Sequence, residues 1–432
     1  MVFLSCNKKQ LSRIHYMNTF TKLIQQLYLK NPNAPPVDLC AVIDSASDSS
    51  WMVVSSSFIY NDLPVSNLNI FPVKTAAHTV LLAMIQTDYL IIGQGLAGTA
   101  LAWTLIRRGY RVQILDRCEL ITSSKIAAGL ITPITGMRLV VSWRLEEFFS
   151  FATDFYRSIE RDTKRQFFEI KPMLRLFASP AEIQQYAQRS RTHFPELVTI
   201  PEPLADESQF ELTQGGFEMM GGQLDVPAYL EASRHYFEAR SLFQQAELDP
   251  VKDLEFSSDT VRLPRWNLAA DKIVFCEGIH SQQNPWFQTV PFEGAKGEIL
   301  TLKIPGLNEQ RVVHRGIWLS HWKEDLYRAG STYDREHLNC EPTPAGRKEI
   351  CSRLAEFLKL PVEVVEHRAA VRPVIRGRLP ILGLHPEQPQ IGFFNGFASK
   401  GSLQTPWMAD HFADILEDRT TLDKSLDLAH KI

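Results

Sequence analysis

Three glycines and one acid supply the first chemistry in this chain: Gly93, Gly95 and Gly98, followed roughly 18 residues later by Asp116. The string reads Gly93-Gln94-Gly95-Leu96-Ala97-Gly98, and Arg117 follows the acid. Gly93 permits a tight turn out of a strand. Gly95 lets backbone approach a pyrophosphate with no side chain between, and Gly98 lets helix and strand pack closely. A helix opening at Leu96 and Ala97 offers unpaired N–H groups and a positive dipole end to phosphate oxygens. Asp116 can accept hydrogen bonds from ribose hydroxyls and would repel a 2′-phosphate. The chemistry is dinucleotide binding.

Those residues need a strand before them and a helix after. DYLII supplies a strand at Tyr89–Ile92 that suits burial on both faces of a parallel sheet. A helix is expected from about Ala97 to Arg108, with Leu101, Leu105 and Ile106 apolar and Gly109 as its C-terminal cap. A second strand is expected at Arg111–Leu115, and a long amphipathic helix from about Trp143 to Arg161. Later strands read KIVFCEG, GEILTLKI, GIWLSHW and DLYRAGSTY, and a last helix runs from near Ser402 to Leu416. Strands alternate with helices early and cluster as hairpins later. This points to an α/β chain, α+β overall, in which a discontinuous Rossmann-like domain carries an inserted antiparallel-sheet domain.

Composition sets the outer limits. With 44% hydrophobic and 22% charged residues, the chain is neither disordered nor membrane-like in make-up. A net charge of −3 gives no electrostatic reason to invoke nucleic acid. Cys6, Cys40, Cys118, Cys276, Cys340 and Cys351 form no CxxC pair and fit no zinc template, which suits reduced thiols in a cytoplasmic setting and leaves no metal site to expect. No apolar run reaches the ~18 residues of a membrane span. Residues 1–83 mix NPNAPP and DSASDSSW with short apolar patches and show no sustained period. The expectation is that Met84 is the natural initiator and that residues 1–83 are a poorly ordered or non-native extension; a genuine small appendage is the alternative.

Three further segments decide which dinucleotide. Ser123-Ser124-Lys125-Ile126-Ala127-Ala128-Gly129-Leu130-Ile131-Thr132-Pro133 follows Asp116. Val371-Arg372-Pro373 precedes Gly377-Arg378-Leu379-Pro380, and Asn395-Gly396-Phe397-Ala398-Ser399-Lys400-Gly401 comes last. In this order, with the glycine turn, the chain resembles the D-amino-acid oxidase superfamily of FAD-dependent oxidoreductases. It is most like glycine and sarcosine oxidases and the flavin half of the bifunctional tRNA methylaminomethyl-uridine enzyme. The resemblance covers about Gln86 to Leu416 and is weakest from Phe167 to Leu212.

The resemblance implies non-covalent FAD, since no cysteine matches the covalent anchors of some sarcosine oxidases. It implies an FAD-binding domain from residues 84–168, 216–285 and 370–420, a substrate domain from 169–215 and 286–369, and a tail at 421–432. Ser123, Ser124, Ala128 and Gly129 would lie near the pyrophosphate and flavin ring. Gly278, closing a strand at Ile273–Gly278, would lie on the adenine side. Ser399, Lys400 and Gly401 would sit at the far ring edge, where a helix N-terminus stabilises negative charge. Asp225 and Val226 would lead back into the FAD domain.

The implied reaction is oxidation of an amine or amino acid to an imine by hydride transfer to flavin N5, with oxygen as acceptor; it needs no protein nucleophile. Arg372 is the expected contact for a substrate carboxylate, because a guanidinium gives two parallel hydrogen bonds. Lys400 is expected to polarise the flavin or bind the substrate anion. Tyr229, Trp318, His321 and Tyr333 are candidate pocket residues. Where the family often has Asp-Gly, this chain has Arg376-Gly377-Arg378, two extra cations that point to a more anionic ligand. Glu277 stands where the family often has Ala or Thr, with no role legible. Two other functions stay open at this point: FAD-dependent tRNA wobble-uridine modification, and a non-catalytic FAD-binding protein.

Overall fold

The computed structural model describes residues 84–432 and, upstream, the backbone of three strands. Leu39–Asp44, Trp51–Ser56 and Asn69–Pro72 pair antiparallel in one small sheet. The absence of a sustained strand period in residues 1–83 is thereby corrected: the apolar runs LCAVID and WMVVSS form two of these strands. The further expectation, that this segment is poorly ordered or non-native, lies outside the described residues. The second compact unit is Met84–Ile432.

That unit opens with strand β1, Ile85–Ile92, helix α1, Leu96–Arg107, and strand β2, Val112–Asp116. Along β1 the alternate residues serve two cores. Tyr89 and Ile91 face the helices, and Leu90 and Ile92 face the opposite layer. This is why the run is continuously apolar. Gly109, at φ 89°, ends α1 as expected. Helix α2, Leu145–Thr163, follows, then strands β3, Phe168–Leu176, and β4, Gly216–Leu224, and helix α3, Val226–Glu238. Strand β5, Leu268–Phe275, leads to β6, Ala295–Lys303, β7, Val312–Arg315, β8, Ile317–Lys323, and β9, Leu326–Gly330. Helix α4, Pro344–Ala355, precedes β10, Glu363–Arg372, β11, Ile381–Leu384, and β12, Ile391–Asn395. Helix α5, Gly401–Leu416, comes last.

Two large sheets result. In the first, β1 lies between β2 and β5, all parallel; β12 adds to β5 in parallel, and β11 to β12 antiparallel. Helices α1 and α5 pack on it. Trp103 is buried there and donates to Ser233 Oγ at 2.9 Å. Arg108, at the end of α1, binds Asp410, Asp414 and Glu417 of or just after α5 at 2.6–2.8 Å. The second sheet runs β10-β6-β9-β8-β7-β3-β4 and ends on Leu130–Ile131. It is antiparallel except where β7 pairs with β3 in parallel, a return made after the long excursion through residues 177–311. The stretch 216–224, which the resemblance groups with the FAD domain, pairs residue for residue with β3 in this second sheet. Its odd-and-even alternation gives it two different faces. Leu300, Leu302, Leu319 and Tyr327 face a core closed by Ile350 and Leu354 of α4. The other face is turned to a cavity.

The turn from β1 into α1 is the tightest joint. A Cβ on Gly98 would stand 1.8 Å from the Gly93 carbonyl oxygen, and Gly93 itself has φ 101°. The Gly98→Ala variant is expected to lose roughly 1–3 kcal/mol or more through this clash. A urea midpoint equal to that of the wild type would show that the turn relaxes and that the close approach is not required.

Candidate functional site

One large cavity, of about 1280 Å³, lies in this unit. It exceeds the usual span of a site for one drug-sized ligand. Of the residues singled out from sequence, Gly93, Gly95, Leu96, Ala97, Asp116, Arg117, Ser123, Ser124, Ala128, Gly129, Gly278, Arg372, Ser399, Lys400 and Gly401 all line it. Gly98 does not; it sits behind the wall, against Gly93 and Cys276, which fits a packing role. Segments far apart in the chain are thus brought to one space.

The glycine turn leaves backbone bare where a ligand would approach. Beside Gly95, Ser124 Oγ stands 3.0 Å from where a Cβ would lie, and it accepts from Leu96 N at 3.1 Å. This ties the SSK segment to the start of α1. Asp116 is already engaged. Its carboxylate accepts from Gln94 N at 2.7 Å, Cys118 N at 2.8 Å and Arg234 Nη2 at 3.2 Å. A carboxylate has about four acceptor positions, so roughly one is left for a ribose hydroxyl. Arg234 had no signal in the sequence, because its partner lies on a distant strand.

Glu277 acquires a setting. Its side chain is largely covered on the cavity wall, accepts from Asn284 Nδ2 at 3.0 Å and lies 3.7 Å from Arg117. Burial raises its pKa, opposed by Asn284 and Arg117. Its carboxylate thereby fixes the Arg117 side chain, which in turn stands 3.6 Å from Glu119.

At the other end stand two cations with no carboxylate partner among the described residues. Lys400, just before α5, donates to Ser142 Oγ at 3.1 Å. Burial lowers its pKa from 10.5 to about 8. Arg372 closes β10 and donates to Ser331 Oγ at 2.7 Å, with the Thr332 and Ala295 carbonyls at 3.4 and 3.5 Å. Burial lowers its pKa, opposed by Tyr333, whose ring centre is 5.7 Å from the guanidinium. The space for that guanidinium comes from Gly297, where a Cβ would be 2.0 Å from Nη2.

The candidate pocket residues divide. Trp318 and Tyr333 line the cavity. Tyr229 does not: it is fully buried in the core against Tyr156 and Phe167. His321 does not either; its ring meets the Glu324 carbonyl at 2.9 Å and packs on Tyr327. Of the two extra arginines, Arg378 lines the cavity, but Arg376 is turned away and pairs with Glu293 at 3.0 Å. His314, Ser142 and Ser331 also line the cavity, and the sequence carried no motif for them.

The cavity's bare glycine turn, small-residue wall and unneutralised cations fit an extended anionic dinucleotide. The family model described as FAD dependent oxidoreductase (DAO) matches residues 88–415, and the chain belongs to that family. Its cofactor is FAD. Among curated proteins it is 25% identical over 75% of its length to the tRNA 5-methylaminomethyl-2-thiouridine biosynthesis bifunctional protein MnmC of Marinobacter nauticus, of which it covers 54%. The MnmC protein of Idiomarina loihiensis is 24% identical over 76% of the chain, with 55% of that protein covered. The chain therefore spans about half the length of these relatives. Among solved structures, glycine oxidase from Geobacillus kaustophilus superposes with a TM-score of 0.68 at 20% identity, covering 81% of this chain and all of that one. Iminodiacetate oxidase from Chelativorans gives 0.61 at 18% identity, over 78% and 97%. At these identities the structures establish the shared fold.

The lowered pKa of Lys400 has a measurable consequence. Between pH about 8 and its usual 10.5, the unfolded chain holds more protons at this site than the folded one, so the site's contribution to stability rises with pH. In flavin-free protein, Lys400→Met is expected to be more stable than wild type near pH 7. That advantage should shrink by up to about 3 kcal/mol between pH 8 and 10.5. Urea titrations at several pH values measure it; a constant gap would place the Lys400 ammonium in water.

Proposed function

We propose that this chain oxidises the C–N bond of an amine or amino acid to an imine, which water then hydrolyses, with oxygen as the electron acceptor. When bound, the flavin supplies at N5 the acceptor for the hydride leaving the carbon next to nitrogen. The carrying observation is Arg372: a half-buried guanidinium on the cavity wall, held by one serine hydroxyl and two carbonyls, with no carboxylate partner among the described residues. Such a partly desolvated charge is costly unless a ligand completes it. A substrate carboxylate does so with two parallel hydrogen bonds, and this orients the reacting carbon.

The other assignments belong to the same proposal. Gly93, Gly95, Leu96 and Ala97 receive the pyrophosphate, with Gly98 packing behind them. Asp116 takes a ribose hydroxyl, and Arg117 and Gly278 flank the adenosine end. Ser123, Ser124, Ala128 and Gly129 give the ring a flat, small-residue approach. Ser399, Lys400 and Gly401 meet its far edge, where a cation and a helix start favour developing negative charge. FAD is held without a covalent bond, and the FAD-binding and substrate domains divide broadly as the two sheets do. No helix among the described residues is long and apolar enough to cross a membrane; we place the protein in the cytoplasm.

A second reading, modification of a tRNA wobble uridine, is favoured by the likeness to the MnmC proteins. It would use the same C–N oxidation on a larger substrate. A third, FAD binding without catalysis, separates on one measurement: no amine would bleach the flavin.

The test is an anaerobic screen of amines and amino acids for loss of flavin absorbance, repeated with Arg372→Ala. The wild type should be reduced by at least one carboxylate-bearing amine. The variant should need on the order of 100-fold more of it, since a buried charge pair loses one partner. Equal reduction of both proteins at low substrate would remove the carboxylate role from Arg372.

A further inference from the structure

The segment Lys296-Gly297-Glu298 of β6 sends its side chains to opposite faces of the second sheet. Gly297 lies on the cavity side, under the Arg372 guanidinium. Lys296 and Glu298 point the other way, on the face where Leu300 and Leu302 pack under α4. Their side chains are 0% and 3% exposed. Two ionisable groups buried on an apolar face are destabilising unless something pairs with them. Their partners lie in the connection between β9 and α4, residues 331–343, which contains no helix or strand of its own.

Glu298 holds that connection at both ends. Its backbone N–H donates to Thr332 Oγ1 at 3.0 Å. Its carboxyl group accepts from Thr343 N at 2.9 Å and from Thr343 Oγ1 at 2.7 Å. Thr343 is the N-cap of α4, and its Oγ1 accepts from Gly346 N at 3.0 Å. A Cβ on Gly346 would stand 2.4 Å from Glu298 Cδ, so the first turn of α4 is shaped around this carboxyl group. His367 Nε2, on β10, stands 2.7 Å from Glu298 Oε2. Lys296 holds the middle of the connection. Its backbone exchanges two hydrogen bonds with Asp334, and its Nζ donates to Asn339 Oδ1 at 2.8 Å.

The same connection supplies the groups that hold Arg372. Ser331 Oγ accepts from the guanidinium at 2.7 Å and the Thr332 carbonyl at 3.4 Å. The third partner, the Ala295 carbonyl, is next to Lys296 in β6. Thr332 therefore meets Glu298 with its hydroxyl and Arg372 with its carbonyl. Among the described residues, every hydrogen-bond partner of that guanidinium lies on the connection or on the strand segment that anchors it.

We propose that Glu298 is a positioning residue for carboxylate recognition: from the face of the sheet opposite the cavity, through Thr332 and Thr343, it fixes the connection whose Ser331 and Thr332 orient the Arg372 guanidinium. Glu298 does not touch the substrate. A guanidinium reads a planar carboxylate by two parallel hydrogen bonds, so a small rotation of its plane weakens both. This deepens the proposed function and rests on the role given there to Arg372.

The probes are propionate and propionamide, alike in size and different in charge, titrated calorimetrically into the FAD-loaded protein. The wild type should prefer propionate by about 100-fold, and Arg372→Ala by less than about twofold. Glu298→Gln keeps the side-chain size but weakens the hold on Thr343, and should lower the preference about tenfold; Thr343→Val should lower it about fivefold. Thr343→Ser keeps the hydroxyl and should retain the preference. A Glu298→Gln protein with the full wild-type preference would overturn the proposal. So would one that loses both ligands equally, which marks a purely structural carboxyl group. If Glu298→Gln does not fold, Thr343→Val decides by the same two outcomes. Failure of the Arg372 reading looks different: the wild type shows no preference, or Arg372→Ala keeps it, and the positioning role then falls as well.

Discussion

The contact between the Gly93 carbonyl and the Gly98 Cα sets the geometry of the unit. It brings the first turn of α1 against the end of β1, so the helix N-terminus opens into the cavity and is not buried under side chains. Other elements then key to that turn. Cys276, at the end of β5, closes behind it, since its carbonyl oxygen would be 2.6 Å from a Cβ on Gly93. Ser124 caps its flank, and Asp116 accepts from Gln94 within it. A joint this close has no room for adjustment, which is why strands from three distant parts of the chain meet it in one register.

The cavity has an electrical polarity that follows from which charges are paired. Its acids are satisfied: Asp116 by Gln94, Cys118 and Arg234, Glu277 by Asn284 and Arg117, and Glu119 by His280 and Arg117. Its two deeply placed cations, Lys400 and Arg372, are not matched by any carboxylate among the described residues. In a medium of low dielectric that imbalance attracts anions and disfavours cations. Under the proposed reaction, the same cations would press a substrate amine toward its neutral form, the form whose lone pair can assist loss of hydride.

Much of this was legible in the sequence where the signal is local. The turn at Gly93–Gly98, the run of β1, the cap at Gly109 and helices α1, α2 and α5 are each specified by residues adjacent in the chain. The limits lie where partners are distant. Tyr229 looked like a pocket residue, but it sits on the inward face of α3, and only the placement of α2 and β3 decides which face that is. His321 and Trp318 share a strand. Opposite orientation sends one to the Glu324 carbonyl and Tyr327 and the other to the cavity. Arg376 and Arg378 are two residues apart, yet Glu293, far upstream, takes only the first. Glu277 was opaque for the same reason: Asn284 is close in sequence, but Arg117 is not.

The second sheet shows how a core and a binding wall can share one set of strands. Large apolar residues occupy alternate positions and pack under α4, as any half-buried sheet requires. The positions between them are free of that demand, and they carry Gly297, Ile299, His314, Trp318, Ser331 and Arg372 into the cavity. Gly297 is the telling member. In a strand interior it contributes no packing and weakens the strand, yet any side chain there would occupy the place of the Arg372 guanidinium. The strand gives up some local stability so that a long side chain from its neighbour can lie flat across it and reach Ser331. The guanidinium laid flat in this way lines the cavity. If it takes a carboxylate as proposed, its plane is fixed before any substrate arrives.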